Sequence, residues 1–514
     1  MNSVLCLTLR FLDPVPQFHG RGGDGDPEWP PSPLRFFQAL VSASATRWRD
    51  NQFQEYARPA LQWLEKIRPI IVTPEVSAAS FGYRMYVPNN SGDLMTAAWA
   101  RGDTETSMAK FRVEKDVRPI NLCGDAVHFL FPLPGGNCPH FEALESAARA
   151  ISHLGWGVDL VAGNATILAE AEVGELKGEV WLPIQDSHGV GLRVPVAGTL
   201  DALIAKHDAF LGRLSPVGFK PVPPLSSFNI VGYRRATDPS PRPYATFTLL
   251  NPDASGMRSF DSARRARDVA GMTRHAMATV AHDRGWPEER INVFVHGKTP
   301  DGSKPSNDVA SPDRFQYLPL PTINHALKRV ESIRRVLVTA PPHCAEQIEW
   351  ARRALSGAEL VNQHGTAALL TILPSSDWVV RQYVEKSRDW STVTPVILPG
   401  YDDPEHLRRK LKNCCDAETQ KRYLGRLDAR IDGLLRKALR QAGYSNELIG
   451  QVELEWRNVG FRAGVELASR YLPPENLDNR PRYHVRARFP HPIPGPLVVG
   501  SGRFRGFGLF ARMD

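Results

Sequence analysis

Arginines at alternate positions near the C-terminus have the types and spacing of a site that binds phosphate. The alternation in RYHVRARF, residues 482–489, indicates a strand with one apolar and one cationic face. The cationic face is expected to carry Arg482, His484, Arg486 and Arg488. Because like charges on one sheet face repel one another, we expect an anion or an acidic partner to lie across them.

A glycine-rich stretch, GSGRFRGFGLF, follows this strand at residues 500–510. Glycine adopts positive φ and lets backbone N–H groups approach a phosphate closely, and nearby arginines supply charge. The residues expected to act in this way are Gly500, Gly502, Arg503, Arg505, Gly506 and Gly508. The alternative is an ordinary glycine-rich turn that packs Phe507 and Phe510 into the core. The adjacent arginine strand favours the phosphate-binding loop.

The positive charge of the chain is concentrated in its last fifth. The 514 residues carry a net charge of +8, but residues 1–404 hold 42 basic and 43 acidic residues. Residues 405–440 have a net charge of +6, and residues 457–512 have a net charge of +7. Such a concentration attracts polyanions, and the planar guanidinium group suits phosphate. For residues 405–440 the alternative is a solvated helix face with ion pairs, because leucines recur there at helical spacing.

Strands and helices alternate on both sides of a proline-spaced run, TDPSPRP, at residues 237–243. Prolines at alternate positions form an extended linker, so we place a domain boundary there. Before the run, a strand at 3–12 precedes a helix capped by Ser32 with Pro33 as its first residue. After it, the predicted strands are 244–250, 291–295, 333–339 and 367–373, and the predicted helices are 261–284 and 344–356. Strand–helix–strand units without a nucleotide-binding motif predict an α+β fold with tandem ferredoxin-like domains, as in many RNA-binding sheets.

Composition favours a cytoplasmic protein without a metal ion or cofactor. The six cysteines lack paired metal-ligand spacing, and their low density suits a reducing compartment. No apolar run approaches the roughly 18 residues of a membrane helix, so no membrane association is expected. A metal hydrolase would need clustered carboxylate, histidine or cysteine ligands, and Cys138-Pro139-His140 alone is a weak candidate.

Five stretches of the sequence resemble, in their order, the type I-G (formerly I-U) CRISPR-associated fusion subunit. They are EWPPSPLRFFQAL (28–40), HGKTPDG (296–302), YLPLP (317–321), TPVILP (394–399) and GPLVVGSGRFRGFGLF (495–510). That family joins two RAMP proteins: a subunit that caps the 5′ handle of the guide RNA, and an endoribonuclease specific for the CRISPR repeat. The resemblance covers nearly the whole chain, and the C-terminal loop is similar to the glycine-rich RAMP loop that touches RNA.

The resemblance implies that residues 1–238 form the RAMP domain of the 5′-handle type and residues 239–514 that of the repeat endoribonuclease. It implies cleavage of precursor CRISPR RNA at the repeat by metal-independent attack of a 2′-hydroxyl, with the product retained in a Cascade-type complex for antiviral defence. The expected partners are CRISPR RNA, through its repeat hairpin and 5′ handle, other type I effector subunits and, through the complex, target DNA. In the first domain, RNA contacts are expected from local residues such as Arg35, Arg84, Arg112 and Lys115.

Such cleavage needs a base for the 2′-hydroxyl, an acid for the departing 5′-oxygen and a cation for the charge on the phosphate. Histidine titrates near neutrality and suits either proton transfer. His296 follows the predicted strand 291–295 and lies near where related endonucleases keep their histidine, with Lys298 as its charge-stabilising neighbour. His325 is the second candidate, and His484, among arginines, is interpreted as an RNA contact.

Members of the resembling family often have histidines just before the YLPLP run, where this chain has Asp313, Arg314 and Gln316. Two hypotheses of different class therefore stand. The first is a metal-independent CRISPR repeat endoribonuclease that stays on its product. The second is a non-catalytic scaffold that binds the handle and hairpin of guide RNA. Repeat RNA in excess EDTA separates them, because only the first produces a 2′,3′-cyclic phosphate.

Overall fold

The structure is a computed structural model that describes residues 3–22, 25–79, 82–88, 112–184, 189–215, 218–303 and 313–513. The chain forms two compact units, Met1–Ala236 and Thr237–Asp514. The division falls at the first residue of the proline-spaced run. Both units mix helices with antiparallel sheets.

The N-terminal unit, Met1–Ala236, begins with a long strand followed by a helix. Its strands are β1 (Ser3–Phe11), β2 (Gln17–Phe18), β3 (Ile70–Thr73), β4 (Val76–Ala79), β5 (Tyr83–Pro88), β6 (Arg112–Val117), β7 (Ile120–Leu122), β8 (Ala126–Leu133), β9 (Val161–Ala169), β10 (Glu179–Ile184), β11 (Val190–Pro195), β12 (Leu214–Ser215), β13 (Gly218–Phe219) and β14 (Phe228–Arg235). Its helices are α1 (Pro33–Arg47), α2 (Asp50–Gln52), α3 (Arg58–Leu64), α4 (Phe141–Arg149), α5 (Glu170–Val173) and α6 (Thr199–Leu211), with a π-helical turn at Phe53–Ala57.

Seven of these strands form one sheet in the order β11-β14-β10-β3-β8-β1-β9. Strand β1 lies between β8 and β9, and its alternate residues Leu5, Leu7 and Leu9 are buried. Helix α1 begins at the predicted cap, because the Ser32 hydroxyl accepts the Arg35 N–H at 3.4 Å. In chain order, β1, α1, β3, β8, α4 and β9 run strand–helix–strand–strand–helix–strand.

The C-terminal unit, Thr237–Asp514, starts with the strand predicted at 244–250. Its strands are β15 (Tyr244–Leu250), β16 (Gln316–Ile323), β17 (Val330–Thr339), β18 (Glu359–Asn362), β19 (Gly365–Ile372), β20 (Ser387–Thr392), β21 (Val396–Ile397), β22 (Glu453–Arg457), β23 (Arg482–Ile493) and β24 (Phe510–Arg512). Its helices are α7 (Ala266–Asp283), α8 (Glu288–Ile291), α9 (Ala345–Ala354), α10 (Trp378–Val384), α11 (Leu407–Lys412), α12 (Ala417–Gln441) and α13 (Asn446–Gln451), with a π-helical turn at Asn292–His296 and 3₁₀ turns at Ala468–Arg470 and Glu475–Leu477.

Two five-stranded sheets organise the C-terminal unit. The first has the order β16-β17-β15-β19-β18, and the elements β15, α7, β16, β17, α9 and β19 repeat the strand–helix–strand–strand–helix–strand succession of the N-terminal unit. The spatial order β16-β17-β15-β19 matches β3-β8-β1-β9 strand for strand. In the second sheet β23 pairs with β20, β21 and β22, and β24 pairs with β20.

The basic segment 405–440 forms helices α11 and α12. The Asp416 carboxylate caps α12 by accepting the N–H of Thr419 at 2.8 Å. Leucines at helical spacing, such as Leu427 and Leu434, are buried, whereas most of the basic residues are exposed. This is the packed amphipathic helix that the leucine spacing indicates.

One of the predicted elements is wrong in the C-terminal unit. Residues 291–295 form helical turns instead of a strand, because α8 runs into the π-helical turn that ends at His296. Just before the glycine-rich stretch, residues 497–499 make one isolated bridge, Val498 to Leu509, and the last strand is β24. Among the residues that the structure describes, no helix combines the length and apolar character needed to cross a membrane.

Candidate functional site

The glycine-rich loop, residues 500–510, is a tight turn fixed to strand β21. The N–H of Ser501 donates to the Ile397 carbonyl, and the N–H of Gly508 donates to the Pro395 carbonyl, both at 2.9 Å. Gly508 has a φ of 69°, and a Cβ there would lie 1.8 Å from the Val499 carbonyl oxygen. Only glycine fits such a position without a backbone shift. The loop is therefore held in one shape.

This loop combines both of the arrangements expected from the sequence. Phe507 and Phe510 are buried in the core, as in an ordinary packed turn. Arg503, Phe504 and Arg505, which precede these two residues, remain partly exposed. Within the described ranges, no group accepts a hydrogen bond from the backbone N–H of Gly502, Phe504 or Gly506. Such N–H groups beside arginines are suited to an anion.

Arg314, in the segment before β16, extends the cationic surface of the loop. Its guanidinium lies 4.2 Å from the centre of the Phe504 ring, a cation–π contact. Burial lowers the pKa of Arg314 to about 10, and the positive charges of Arg505, Arg274 and Arg503 act in the same direction. Burial and Arg274 also lower the pKa of Arg505. These arginines therefore destabilise one another's charged form.

No described carboxylate pairs with three of the arginines at this site. Across the part of the chain that the structure describes, Arg274, Arg314 and Arg505 form no ion pair within 4.0 Å. Partly buried cations without a counterion are costly, because each has lost some of its water. A phosphate group placed among them would supply the missing negative charge.

His296 belongs to the same cluster. It ends the π-helical turn, which Gly297 closes with a φ of 65°, and a Cβ on Gly297 would lie 2.2 Å from Cδ of Arg314. Burial lowers the pKa of His296, Arg274, Lys298 and Arg314 lower it further, and only Glu288 among the stated neighbours acts in the opposite direction. The imidazole is therefore neutral at neutral pH and able to accept a proton.

We call these residues the arginine–histidine cluster. Its members are Arg274, His296, Lys298, Arg314, Arg503 and Arg505. Sequence analysis named His296, Lys298 and the two loop arginines but missed Arg274 and Arg314. Arg314 was noted only as a departure from the resembling family. Around Arg274 on α7, the sequence contains no motif that indicates a functional residue.

His325, the second catalytic candidate, lies away from this cluster. It is exposed in the turn after Ile323, where its ring contacts Trp378 edge to face with centroids 4.5 Å apart. Strand β16 begins at Gln316, close in sequence to Arg314, and ends at Ile323, close in sequence to His325. At the usual rise per residue the two ends of the strand lie about 25 Å apart. His325 is therefore not part of the candidate site.

His484 does not lie on a cationic surface, contrary to the prediction. Its side chain is fully buried, its Nδ1 lies 3.1 Å from the Thr392 hydroxyl and its Nε2 lies 2.9 Å from the Glu466 carbonyl oxygen. Burial lowers the pKa of His484 to about 4. The strand alternation was right, but the face that carries His484 is covered at this position, so the side chain cannot contact RNA.

The strand arginines have acidic partners inside the protein. Asp389 on β20 accepts two hydrogen bonds from Arg486, one of them at 2.9 Å from Nε, and lies 3.6 Å from Arg488. Arg488 also lies 3.9 Å from Glu453, and Arg482 lies 3.8 Å from Asp478. The sequence prediction allowed an anion or an acidic partner, and the structure shows the acidic partner.

One cluster of possible metal ligands escaped sequence analysis. Ligand atoms of Asp313, His343 and Cys344 lie within 4.8 Å of one another. Nε2 of His343 lies 2.6 Å from Oδ1 of Asp313, while Cys344 is buried and its thiol pKa is raised by burial to about 11. The thiol is therefore protonated at neutral pH. Asp313 lies too far from His343 and Cys344 in the sequence for a metal-ligand spacing motif to identify the three residues together.

In the N-terminal unit, two of the four candidate RNA contacts have acidic partners. Arg35 donates to the Glu28 carboxylate at 2.9 and 3.2 Å and is largely buried. Arg84 lies 3.0 Å from Glu114. Lys115 is exposed on β6, and the side chain of Arg112 lies outside the described residues. Arg35 is therefore held in an ion pair inside the protein, and an RNA contact by it stays a prediction.

Comparisons with known proteins gave structural matches of low similarity and a match to a family. No curated protein matches it. A crystal structure of a CRISPR protein from Archaeoglobus fulgidus is 12% identical, with a TM-score of 0.20, over 37% of this chain and 74% of that one. The crystal structure of Cas6b is 14% identical, with a TM-score of 0.26, over 52% and 98% of the two chains. That of the CRISPR RNA processing endoribonuclease Cas6b is 12% identical, with a TM-score of 0.22, over 52% and 99%.

The family match is far more extensive than these structural ones. The profile described as "CRISPR-associated protein, GSU0054 family" matches residues 11–512, almost the whole sequence. The chain therefore belongs to the GSU0054 family of CRISPR-associated proteins.

Proposed function

We propose that this protein cleaves precursor CRISPR RNA at the repeat without a metal ion and retains the guide RNA as a subunit of a type I effector complex. The observation that carries the proposal is the arginine–histidine cluster. It places His296, which burial and neighbouring cations keep neutral at neutral pH, beside Arg314 and Arg505, which form no ion pair with any described carboxylate. A base next to a site for phosphate is what 2′-hydroxyl attack requires.

In the proposed reaction His296 removes the proton from the 2′-hydroxyl. The 2′-oxygen then attacks the adjacent phosphorus, the bond from phosphorus to the 5′-oxygen breaks, and a 2′,3′-cyclic phosphate forms. Lys298, Arg314 and Arg505 stabilise the additional negative charge on the phosphate oxygens. The 5′-oxygen leaves as a hydroxyl after it receives a proton from an acid.

The architecture proposed for the chain is a type I-G RAMP fusion with two ferredoxin-like domains. Residues 1–238 would bind the 5′ handle, and residues 239–514 would cleave the repeat. The repeated succession of elements and the matching strand orders β3-β8-β1-β9 and β16-β17-β15-β19 support two related domains. Other subunits of a type I effector complex are the proposed partners, with target DNA reached through that complex in the cytoplasm.

The experiment uses purified protein and end-labelled RNA of the organism's own CRISPR repeat in excess EDTA. We expect a single cut that leaves a 2′,3′-cyclic phosphate, and no cut in RNA with a 2′-deoxy nucleotide at the scissile position. His296→Ala should abolish cutting while the RNA still binds. His282→Ala, which changes an exposed histidine at the far end of α7, is the matched control. Binding without any cut by the unaltered protein would instead assign it the role of a guide-RNA scaffold.

A further inference from the structure

We propose that His343, held by Asp313, is the acid that protonates the departing 5′-oxygen in this cleavage. The inference rests on the proposed function and adds a second catalytic histidine to it. The two residues lie in different segments: Asp313 precedes β16, and His343 lies in the turn between β17 and α9. The cleavage needs both a base and an acid, and His296 serves only as the base.

The pairing fixes which nitrogen of His343 can act. Nε2 lies 2.6 Å from Oδ1 of Asp313, and an ionised carboxylate only accepts hydrogen bonds, so Nε2 carries the hydrogen. Nδ1 is left to exchange a proton with a substrate. The imidazole is 65% exposed and Asp313 is 39% exposed, so RNA can reach the ring without any rearrangement of the fold.

The surroundings of His343 suit a phosphodiester. It lines a cavity of about 610 Å³ together with Arg242, Arg314, Arg440, Arg503 and Phe504. No described carboxylate lines this cavity. Its volume is large enough for a nucleotide, and its four arginines favour a polyanion.

Arg314 connects this cavity to the base. The preceding residue, Asp313, holds His343, while the charge of Arg314 acts on His296 and its side chain packs over Gly297. One segment of two residues therefore reaches both histidines. In the proposed arrangement Arg314 binds the phosphate that is cut, with His296 acting on the 2′-hydroxyl and His343 on the departing 5′-oxygen.

His296 and His343 together account for both proton transfers in the cleavage. His296 takes the proton of the 2′-hydroxyl and becomes an imidazolium. The 2′-oxygen forms a bond to phosphorus, and the electron pair of the breaking bond goes to the 5′-oxygen. Nδ1 of protonated His343 gives its proton to that oxygen, and the ring is left neutral with the hydrogen on Nε2 still bonded to Asp313.

A metal ion at Asp313, His343 and Cys344 is the competing use of the same residues. The Asp313–His343 distance of 2.6 Å is that of a direct hydrogen bond. This contact favours proton transfer, and a Cys344→Ser variant separates the two uses.

The test compares two RNA substrates under single-turnover conditions, normal repeat RNA and the same RNA with sulfur in place of the departing 5′-oxygen. Sulfur leaves without protonation, so it removes the need for an acid. We expect His343→Ala to cut normal RNA about 100-fold more slowly and the sulfur-containing RNA at nearly the unaltered rate. His296→Ala should be slow on both. RNA affinity, measured in parallel, should stay within about threefold in each variant.

The remaining outcomes overturn the inference in different ways. If His343→Ala cuts normal RNA at the unaltered rate, or both RNAs equally slowly, His343 is not the acid, although cutting by the unaltered protein still supports the proposed function. Loss of cutting in EDTA, restored by Zn²⁺ and absent in Cys344→Ser, would assign the three residues to a metal. If the unaltered protein cuts neither RNA, the proposed function fails and the role of His343 fails with it.

Discussion

Two groups of arginines in the C-terminal unit differ in the charged groups that surround them. On β23, Arg486 and Arg488 share the carboxylate of Asp389. In the arginine–histidine cluster, Arg314 and Arg505 have other cations as their charged neighbours. Among the described residues, Arg314 and Arg505 form no ion pair with a carboxylate, whereas both strand arginines do. A bound polyanion is therefore expected at the cluster and not along the strand.

The comparison shows why counting charges along a sequence does not by itself locate a surface that binds polyanions. The strand arginines were predicted to need an anion or an acidic partner, and Asp389 comes from β20, far away in sequence. Arg314 and Arg274 lie outside the basic segments 405–440 and 457–512. Tertiary packing decides which cations are neutralised, and this decides where RNA can bind.

The largest expected effect separates the two groups directly. The double variant Arg314→Ala/Arg505→Ala should slow RNA cleavage at least about 100-fold, because it removes cations that face the phosphate. It should also flatten the salt dependence of RNA binding, since fewer counterions are released. Single-turnover rates and affinities at several salt concentrations measure both. Arg486→Ala/Arg488→Ala is the matched control and should keep most of the activity. An equal loss of activity in both double variants would contradict the proposed difference between the two groups of arginines.

Local patterns predicted most of the elements on which these groups lie. Strand β15 matches the predicted 244–250, and α1 starts at the predicted Ser32 cap. The failure at 291–295 has a local cause as well. Its β-branched and aromatic residues are typical of strands, but the first turn at Glu288 and the stop at Gly297 make the segment helical.

The candidate site was only partly predictable, for a different reason. His296, Lys298, Arg503 and Arg505 were identified because the motifs around them are local. Arg274, Arg314 and His343 come from a helix, a pre-strand segment and a turn that meet only in the folded chain. His484 was misassigned because alternation shows which face a residue shares but not what covers that face.

The second prediction tests whether the loop that presents Arg503 and Arg505 is rigid. Gly508→Ala should lower the free energy of unfolding by about 4 kcal/mol, because the new Cβ would clash with the Val499 carbonyl at a φ of 69°. Urea denaturation measures the change. Gly433→Ala on α12 is the control: its Cβ would meet no atom within 4 Å, so it should stabilise the protein by about 0.5 kcal/mol. A loss below about 1 kcal/mol for Gly508→Ala would mean that the loop adapts easily.

The third prediction tests the structural role of β23 through His484. Burial lowers the pKa of His484 to about 4, below the value of an unfolded chain. Between these two pKa values the unfolded state binds the proton and the folded state does not, so stability falls as the pH drops from about 6.5 to 4. We expect a loss of roughly 2 kcal/mol across this window. His484→Gln, which cannot titrate, should show a flatter profile in urea unfolding at each pH; an unchanged profile would place the titration elsewhere.

The smallest expected effect comes from removing the acidic partner of the strand arginines. Without that partner they resemble the arginines of the arginine–histidine cluster. The pKa of Asp389 is lowered, mainly by its hydrogen bonds from Arg486, so its carboxylate is ionised at neutral pH. Asp389→Asn removes that charge and leaves Arg486 and Arg488 able to attract phosphate. RNA affinity should rise about threefold and become more sensitive to salt, without faster cleavage. Asp432→Asn, which breaks the ion pair with Arg436 on α12, is the matched control for losing a carboxylate near an arginine. If neither affinity nor salt dependence changes in Asp389→Asn, the acidic partner is not what keeps the strand from binding RNA, and the geometry of β23 must account for it.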